Sequence, residues 1–150
     1  MHATFRLEAW PLRQPFTTSR ETTVELAVLY CELRRGGCIG RSEAAGVDYR
    51  GETPASMKRF LEERVSTGTL PWDRMTLLER MPAGGARNAI DCALWDLEAR
   101  EKGRRVWELA GVNALRALRT TFTIGLKEPK RMASDVALAP PGAVLKLKLG

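Results

Sequence analysis

The chain holds a single histidine, His2. It stands at a terminus, where chains fray, and it receives no catalytic or ligand role. The three cysteines, Cys31, Cys38 and Cys92, are odd in number and follow no metal-ligand spacing. That pattern argues against a zinc site or a disulfide framework and for reduced thiols in a cytoplasmic protein, with thiol chemistry as the sharper alternative. No apolar run approaches the roughly 20 residues that span a bilayer. The opening MHATFRLEAW lacks the apolar core of a secretory signal, so neither export nor a membrane partner is expected. Charge of one sign is also missing as a block. The net charge of +6 hints at nucleic acid, but Lys58-Arg59 beside Glu62-Glu63 typifies how 24 basic residues are scattered among 18 acidic ones. No basic stretch carries interleaved aromatics, so a solvated surface is the plainer reading and no nucleic-acid partner is expected.

What is present is ordinary globular composition, 44% hydrophobic and 28% charged over 150 residues, enough for one domain or for one domain and part of another. Phe5, Leu7 and Ala9 alternate with polar neighbours, which predicts a half-buried strand over 3–10. Pro11 and Pro15 predict a loop that includes Phe16. The β-branched run TTVELAVLYCELR (22–34) predicts a second strand, Arg35-Gly36-Gly37 a turn, and 38–44 a returning third strand. Together these make a three-stranded antiparallel meander. Thr53-Pro54 predicts a helix start, followed by Met57, Phe60, Leu61 and Val65 at helical spacing. A shorter helix is predicted over 73–81. The clearest helix lies in GGARNAIDCALWDLEAREKG, where Ala86, Ala89, Ile90, Ala93, Leu94 and Leu97 form one stripe. Half of that stripe is alanine, which lets a neighbouring element approach closely. A short helix over 106–110 ends at Gly111.

The pattern changes near residue 119. A strand (119–125), a helix (128–139) and a strand (143–149) make a β-α-β unit, whose crossover implies parallel strands. In Leu145-Lys146-Leu147-Lys148-Leu149 alternation puts both lysines on one face and the leucines on the other. In a β/α barrel the leucines would pack under helices and the lysines would point inward, where active sites lie at the strands' C-terminal ends. Two ammonium groups placed together make each charge costlier, which suits one of them to act as a general base. The alternative is an exposed edge strand with lysines facing water.

Five stretches, in order, resemble the enolase superfamily, its muconate-lactonising subgroup, and within it the dipeptide epimerases that act on L-Ala-D/L-Glu. EAWPLRQPF (8–16) resembles the first strand and the start of a mobile capping loop. GRSEAAGVDYRGETPASM (40–57) resembles the third strand, second capping loop and first helix. MPAGGARNAIDCALWDLEAREKG (81–103) resembles the signature helix, and TTFTIG (120–125) and LKLKLG (145–150) resemble the first two barrel strands. The fold so implied is an α+β capping domain over residues 1–115, a three-stranded antiparallel meander plus helices. It is followed over 116–150 by the first strand-helix-strand of a (β/α)7β TIM-like barrel, with the join near 112–118.

The resemblance implies a Mg²⁺-dependent isomerase that removes and returns the α-proton of a dipeptide carboxylate through an enediolate, with capping loops closing over the small-molecule substrate. Lys148 matches the general base and Lys146 the partner that tunes it. Thr123 matches a threonine at the substrate. Arg20 matches a first-loop arginine for the substrate's side-chain carboxylate, with a plain surface arginine as its alternative. Val47 to Arg50 belong to the second capping loop. Asp91 and Asp96 are read as structural, capping or pairing groups. The family's acidic metal ligands and opposing lysine lie on later barrel strands, so no metal ligand is assigned within 1–150, and the chain alone is expected to be inactive. When full length, the protein is expected to be a homo-oligomer. Rivals on the same scaffold are N-acyl amino acid racemase, o-succinylbenzoate synthase and cycloisomerase. A non-catalytic capping or interaction module is the alternative of another class.

Overall fold

The structure, a computed structural model, describes residues 1–149. Gly150, the last residue of the LKLKLG motif, and the side chain of Asp48 lie outside the described residues. Three strands open the chain: β1 (His2–Thr17), β2 (Thr22–Arg35) and β3 (Cys38–Ala44), in the sheet order β1-β2-β3. Strand β1 runs on through Pro11 and Pro15, where the sequence predicts a loop. The sheet order explains the difference. β1 has one neighbour in this sheet, and an edge strand tolerates residues that lack a ladder donor on their open side.

Strands β2 and β3 are antiparallel, paired from Arg35↔Cys38 to Leu29↔Ala44. The turn between them is Gly36-Gly37, with φ of +55° and +82°. Two consecutive positive φ values give the tight hairpin whose twist matches the flanking strands, and glycine adopts them without a Cβ clash. With this register Leu29, Cys31 and Leu33 share one buried face.

That face is covered by helices. α1 (Pro54–Ser66) begins at Thr53, whose hydroxyl accepts from Ser56 N while Ser56 Oγ accepts from Thr53 N. α2 (Arg74–Arg80) is capped by Asp73, which accepts from Thr76 N at 2.9 Å. α3 (Gly85–Glu101) is the central helix, and the predicted stripe of Ala86, Ala89, Ile90, Ala93, Leu94 and Leu97 is buried throughout. It packs along β3, and the alanines and Gly40 permit the approach. A Cβ on Gly40 would overlap the Ala93 carbonyl oxygen and lie 2.6 Å from Leu97 N. Met57 and Leu61 of α1, Leu77 of α2 and Phe5 of β1 complete the same core.

Polar contacts fasten its rim. Arg35 grips Glu101 through two bonds of 2.7 Å. Arg74 lies 3.4 Å from the Trp95 ring centroid and donates to Glu98. Asp96 accepts from Arg41 N and from Arg100 Nε. That is the pairing role expected of Asp96. Asp91 differs: its Oδ1 is buried with no hydrogen-bond partner among the described residues.

The short helix α4 (Val106–Leu109) follows α3. Then come β4 (Thr121–Ile124), α5 (Pro129–Val136) and β5 (Val144–Leu147). β4 and β5 are parallel and α5 packs against β4, the predicted strand-helix-strand unit.

The chain divides into two compact units. One comprises Met1–Trp10 with Ala27–Ala114, the other Pro11–Leu26 with Leu115–Gly150. The second unit thus takes in the far end of the β1–β2 hairpin, where Thr17 O accepts from Leu126 N at 2.8 Å. Among the described residues no helix is long and apolar enough to cross a membrane.

Candidate active site

Within the second unit, the parallel register pairs Thr123 with Lys146 across β4 and β5. The two therefore stand side by side on one face, and alternation puts Lys148 on the same face one step further on. Lys148 lies just past the last paired residue of β5, and its backbone N donates to Ile124 O at 3.0 Å. Its side chain is half-buried, whereas that of Lys146 is exposed. The opposite face carries Ile124, which is buried, and Leu145, Leu147 and Leu149, which are 40%, 49% and 72% exposed. The leucines, which the pattern would place under helices, thus keep much of their surface exposed.

Arg20 sits at the tip of the β1–β2 hairpin, in a turn closed by Thr18 N donating to Glu21 O. The turn is tightened where Arg20 N donates to Thr18 Oγ1. The bond from Leu126 N to Thr17 O ties this hairpin end to the residues that follow β4. The structure thus places the Arg20 turn, the C-terminal end of β4 and the lysine strand in one unit.

Val47 to Arg50 lie in the first unit, in the loop between β3 and α1, where Asp48–Arg50 form a 3-10 turn. Val47 O accepts from both Arg50 N and Glu52 N. This loop borders a cleft of about 620 Å³ lined by Glu43, Arg50, Glu52 and Asn88 together with backbone at Gly46 and Gly84. Glu52 has no role in the sequence pattern. Its Oε1 accepts from Gly85 N, at the start of α3, at 2.6 Å. The signal that could have pointed to it is faint: an acidic residue just before the Thr53 cap, and a glycine pair at the start of a distant helix.

Residues 1–111 match the family described as mandelate racemase / muconate lactonizing enzyme, N-terminal domain. The chain belongs to this family. It is 36% identical over 144 residues to the L-Ala-D/L-Glu epimerase of Escherichia coli, a match that covers 95% of this chain and 45% of that protein. Among solved structures, an enolase family member from Agrobacterium tumefaciens with homology to dipeptide epimerases, holding sodium and L-Ala-L-Glu, superposes with a TM-score of 0.89 at 32% identity. That superposition covers 99% of this chain and 45% of that one. The dipeptide epimerase of Methylococcus capsulatus, complexed with Mg and L-Arg-D-Lys, gives a TM-score of 0.76 at 30% identity over 99% of this chain and 45% of its own. The chain spans a little under half the length of most of the curated relatives it matches.

For this member of the family the remaining chemistry-bearing groups are quiet ones. Burial pushes the Cys31 thiol up to about 12, an effect that a hydrogen bond with Ser42 only partly offsets. Burial, followed by the charge of Asp91, also raises Cys92. Neither favours the reactive thiolate. No group of three or more His, Cys, Asp or Glu that could hold a metal ion occurs among the described residues.

Proposed function

We propose that the chain is the N-terminal part, a capping domain over residues 1–115 and the start of a β/α barrel over 116–150, of a cytoplasmic dipeptide epimerase. The observation that carries it is the register of β4 and β5, which pairs Thr123 with Lys146, with Lys148 next on that face just past the end of β5, in a chain whose relatives include dipeptide epimerases. Lys148 Nζ takes the α-proton of a dipeptide carboxylate, and the C–H electron pair stays on the substrate as an enediolate. Return of a proton to the opposite face inverts the α-carbon. Lys146 adjusts the charge beside that amine, Thr123 meets the substrate, and Arg20 pairs with its side-chain carboxylate as a charge-assisted fork. Val47 to Arg50 serve as the second capping loop.

Among the described residues no group of side chains fits a metal centre, so no step here is routed through a metal. Mg²⁺ is proposed for the full-length protein, bound by segments outside residues 1–150, as is the opposing proton donor. The 150-residue chain alone is accordingly inactive. The test is α-proton exchange of L-Ala-L-Glu in D₂O, followed by NMR. Exchange with the full-length protein and none with residues 1–150 is expected. Exchange by residues 1–150 alone sinks the division of labour. A full-length protein that exchanges N-acyl amino acids but not dipeptides moves the assignment to the racemases of the same scaffold.

A further inference from the structure

We propose that Glu52 is a positioning residue: it pins the 46–52 loop to the first turn of α3 and so sets where Val47–Arg50 stand. The proposal rests on the reading of that loop as substrate-facing in the full-length enzyme. α3 begins after Gly84, which offers no side-chain cap, and Glu52 Oε1 reaches in from another part of the chain to accept from Gly85 N at 2.6 Å. A carboxylate at a helix N-terminus also meets the favourable end of the helix dipole.

The surrounding backbone is shaped to admit it. A Cβ on Gly85 would stand 2.6 Å from Met57 Sδ and 3.1 Å from Glu52 Oε2. A Cβ on Gly46 would stand 2.5 Å from the Glu52 carbonyl oxygen. Glu52 N meanwhile donates to Val47 O at 3.2 Å, which closes the base of the loop. The next residue, Thr53, is fixed by its reciprocal bonds with Ser56. Glu52 is thus held by its main chain to the loop it ends and by its side chain to the helix beneath. A residue that only capped α3 would need no bond to Val47 and no glycine at position 46.

Two variants separate the positioning role from simple capping. Glu52→Ala removes the acceptor, while Glu52→Gln keeps an oxygen for Gly85 N. In the 150-residue chain, limited trypsin digestion reads cleavage after Arg50 against cleavage after Arg80 and Arg104. E52A is expected to raise the Arg50 cut about tenfold, as local opening replaces a held loop, with the other cuts unchanged and E52Q close to the parent. An unchanged Arg50 cut overturns the proposal. So does a parallel rise at all three sites, which is general loss of stability. In the full-length enzyme E52A should raise KM for the dipeptide with kcat little changed, the mark of lost positioning contacts, and E52Q should restore it. Unaltered KM beside a released loop overturns the positioning role. A full-length protein inactive on every dipeptide overturns the proposed function instead, and leaves the proteolysis result standing on its own.

Discussion

Lys146 and Lys148 share a face with Thr123, yet only Lys148 stands at the strand end, beyond the last paired residue. Their replacements should therefore differ. In the full-length enzyme Lys148→Met is expected to slow α-proton exchange by roughly 10²–10⁴-fold, the usual worth of a positioned base. Lys146→Met should slow it by less, and single-turnover exchange in D₂O compares the two. The aspartates of α3 make a second contrast. Asp96 is paired with Arg41 and Arg100, so Asp96→Ala should cost about 1 kcal/mol in urea unfolding. Asp91 buries an oxygen without a partner, so Asp91→Ala should leave the isolated chain's stability within about 0.5 kcal/mol or raise it. At this scale alternation made the lysine face legible in the sequence. The pairing of Thr123 with Lys146 was not, because strand offset is fixed by the crossover and its packing rather than by either strand's pattern. Glu52 was not legible either, since its partner Gly85 is remote in sequence and shares no period with it.

Between elements, the tightest demand is where β3 crosses α3. Gly40→Ala would drive a methyl group into main-chain atoms of Ala93 and Leu97, which cannot rotate away as a flexible side chain could. The expected loss is about 1–3 kcal/mol or more, as for other overpacked cores, read from the midpoint of chemical unfolding. The alanine-rich stripe announced this closeness in advance, because a helix with small residues on its buried face has been made to lie near something. The third strand and the long helix were legible for the same reason: their side-chain periods are clean and their ends carry recognisable turn and cap residues. β1 was legible only in part. Pro11 and Pro15 signal a break when read locally, and their tolerance depends on the strand's place at the sheet edge, which its own residues do not state.

For the whole molecule, three carboxylates are tied to the folded state. Burial pushes Glu32 up, but hydrogen bonds from Arg34, Tyr30 and Arg41 and the charge of Arg34 outweigh it and hold it below the usual carboxylate range. A hydrogen bond from Arg35 lowers Glu101, and the backbone bond from Thr76 lowers Asp73. Each folded value lies below its unfolded one, so the stabilisation is complete above the unfolded values of about 4 and is lost as pH falls through the folded ones. Thermal melts should be flat with respect to these groups near neutrality and fall steeply below about pH 4. Replacing Glu101 with Gln should flatten part of that fall. A melt that stays flat to the acid limit would contradict the assignment.

The bond from Leu126 N to Thr17 O also has a consequence for the order in which the protein is made. A hairpin such as β2–β3, joined by two glycines, closes in about 1–10 μs. The ribosome supplies residues at only about 5–20 per second. The turn bearing Arg20 must therefore wait, long after its own strands have emerged, for a partner that is translated late. Birth order then separates the two units in time: the sheet and its helices can settle first, while the Arg20 end of the hairpin remains the last to dock. Hydrogen exchange on nascent chains halted at increasing lengths would reveal that delay as protection reaching the β2–β3 amides first and the Leu126 amide, which donates to Thr17 O, only later.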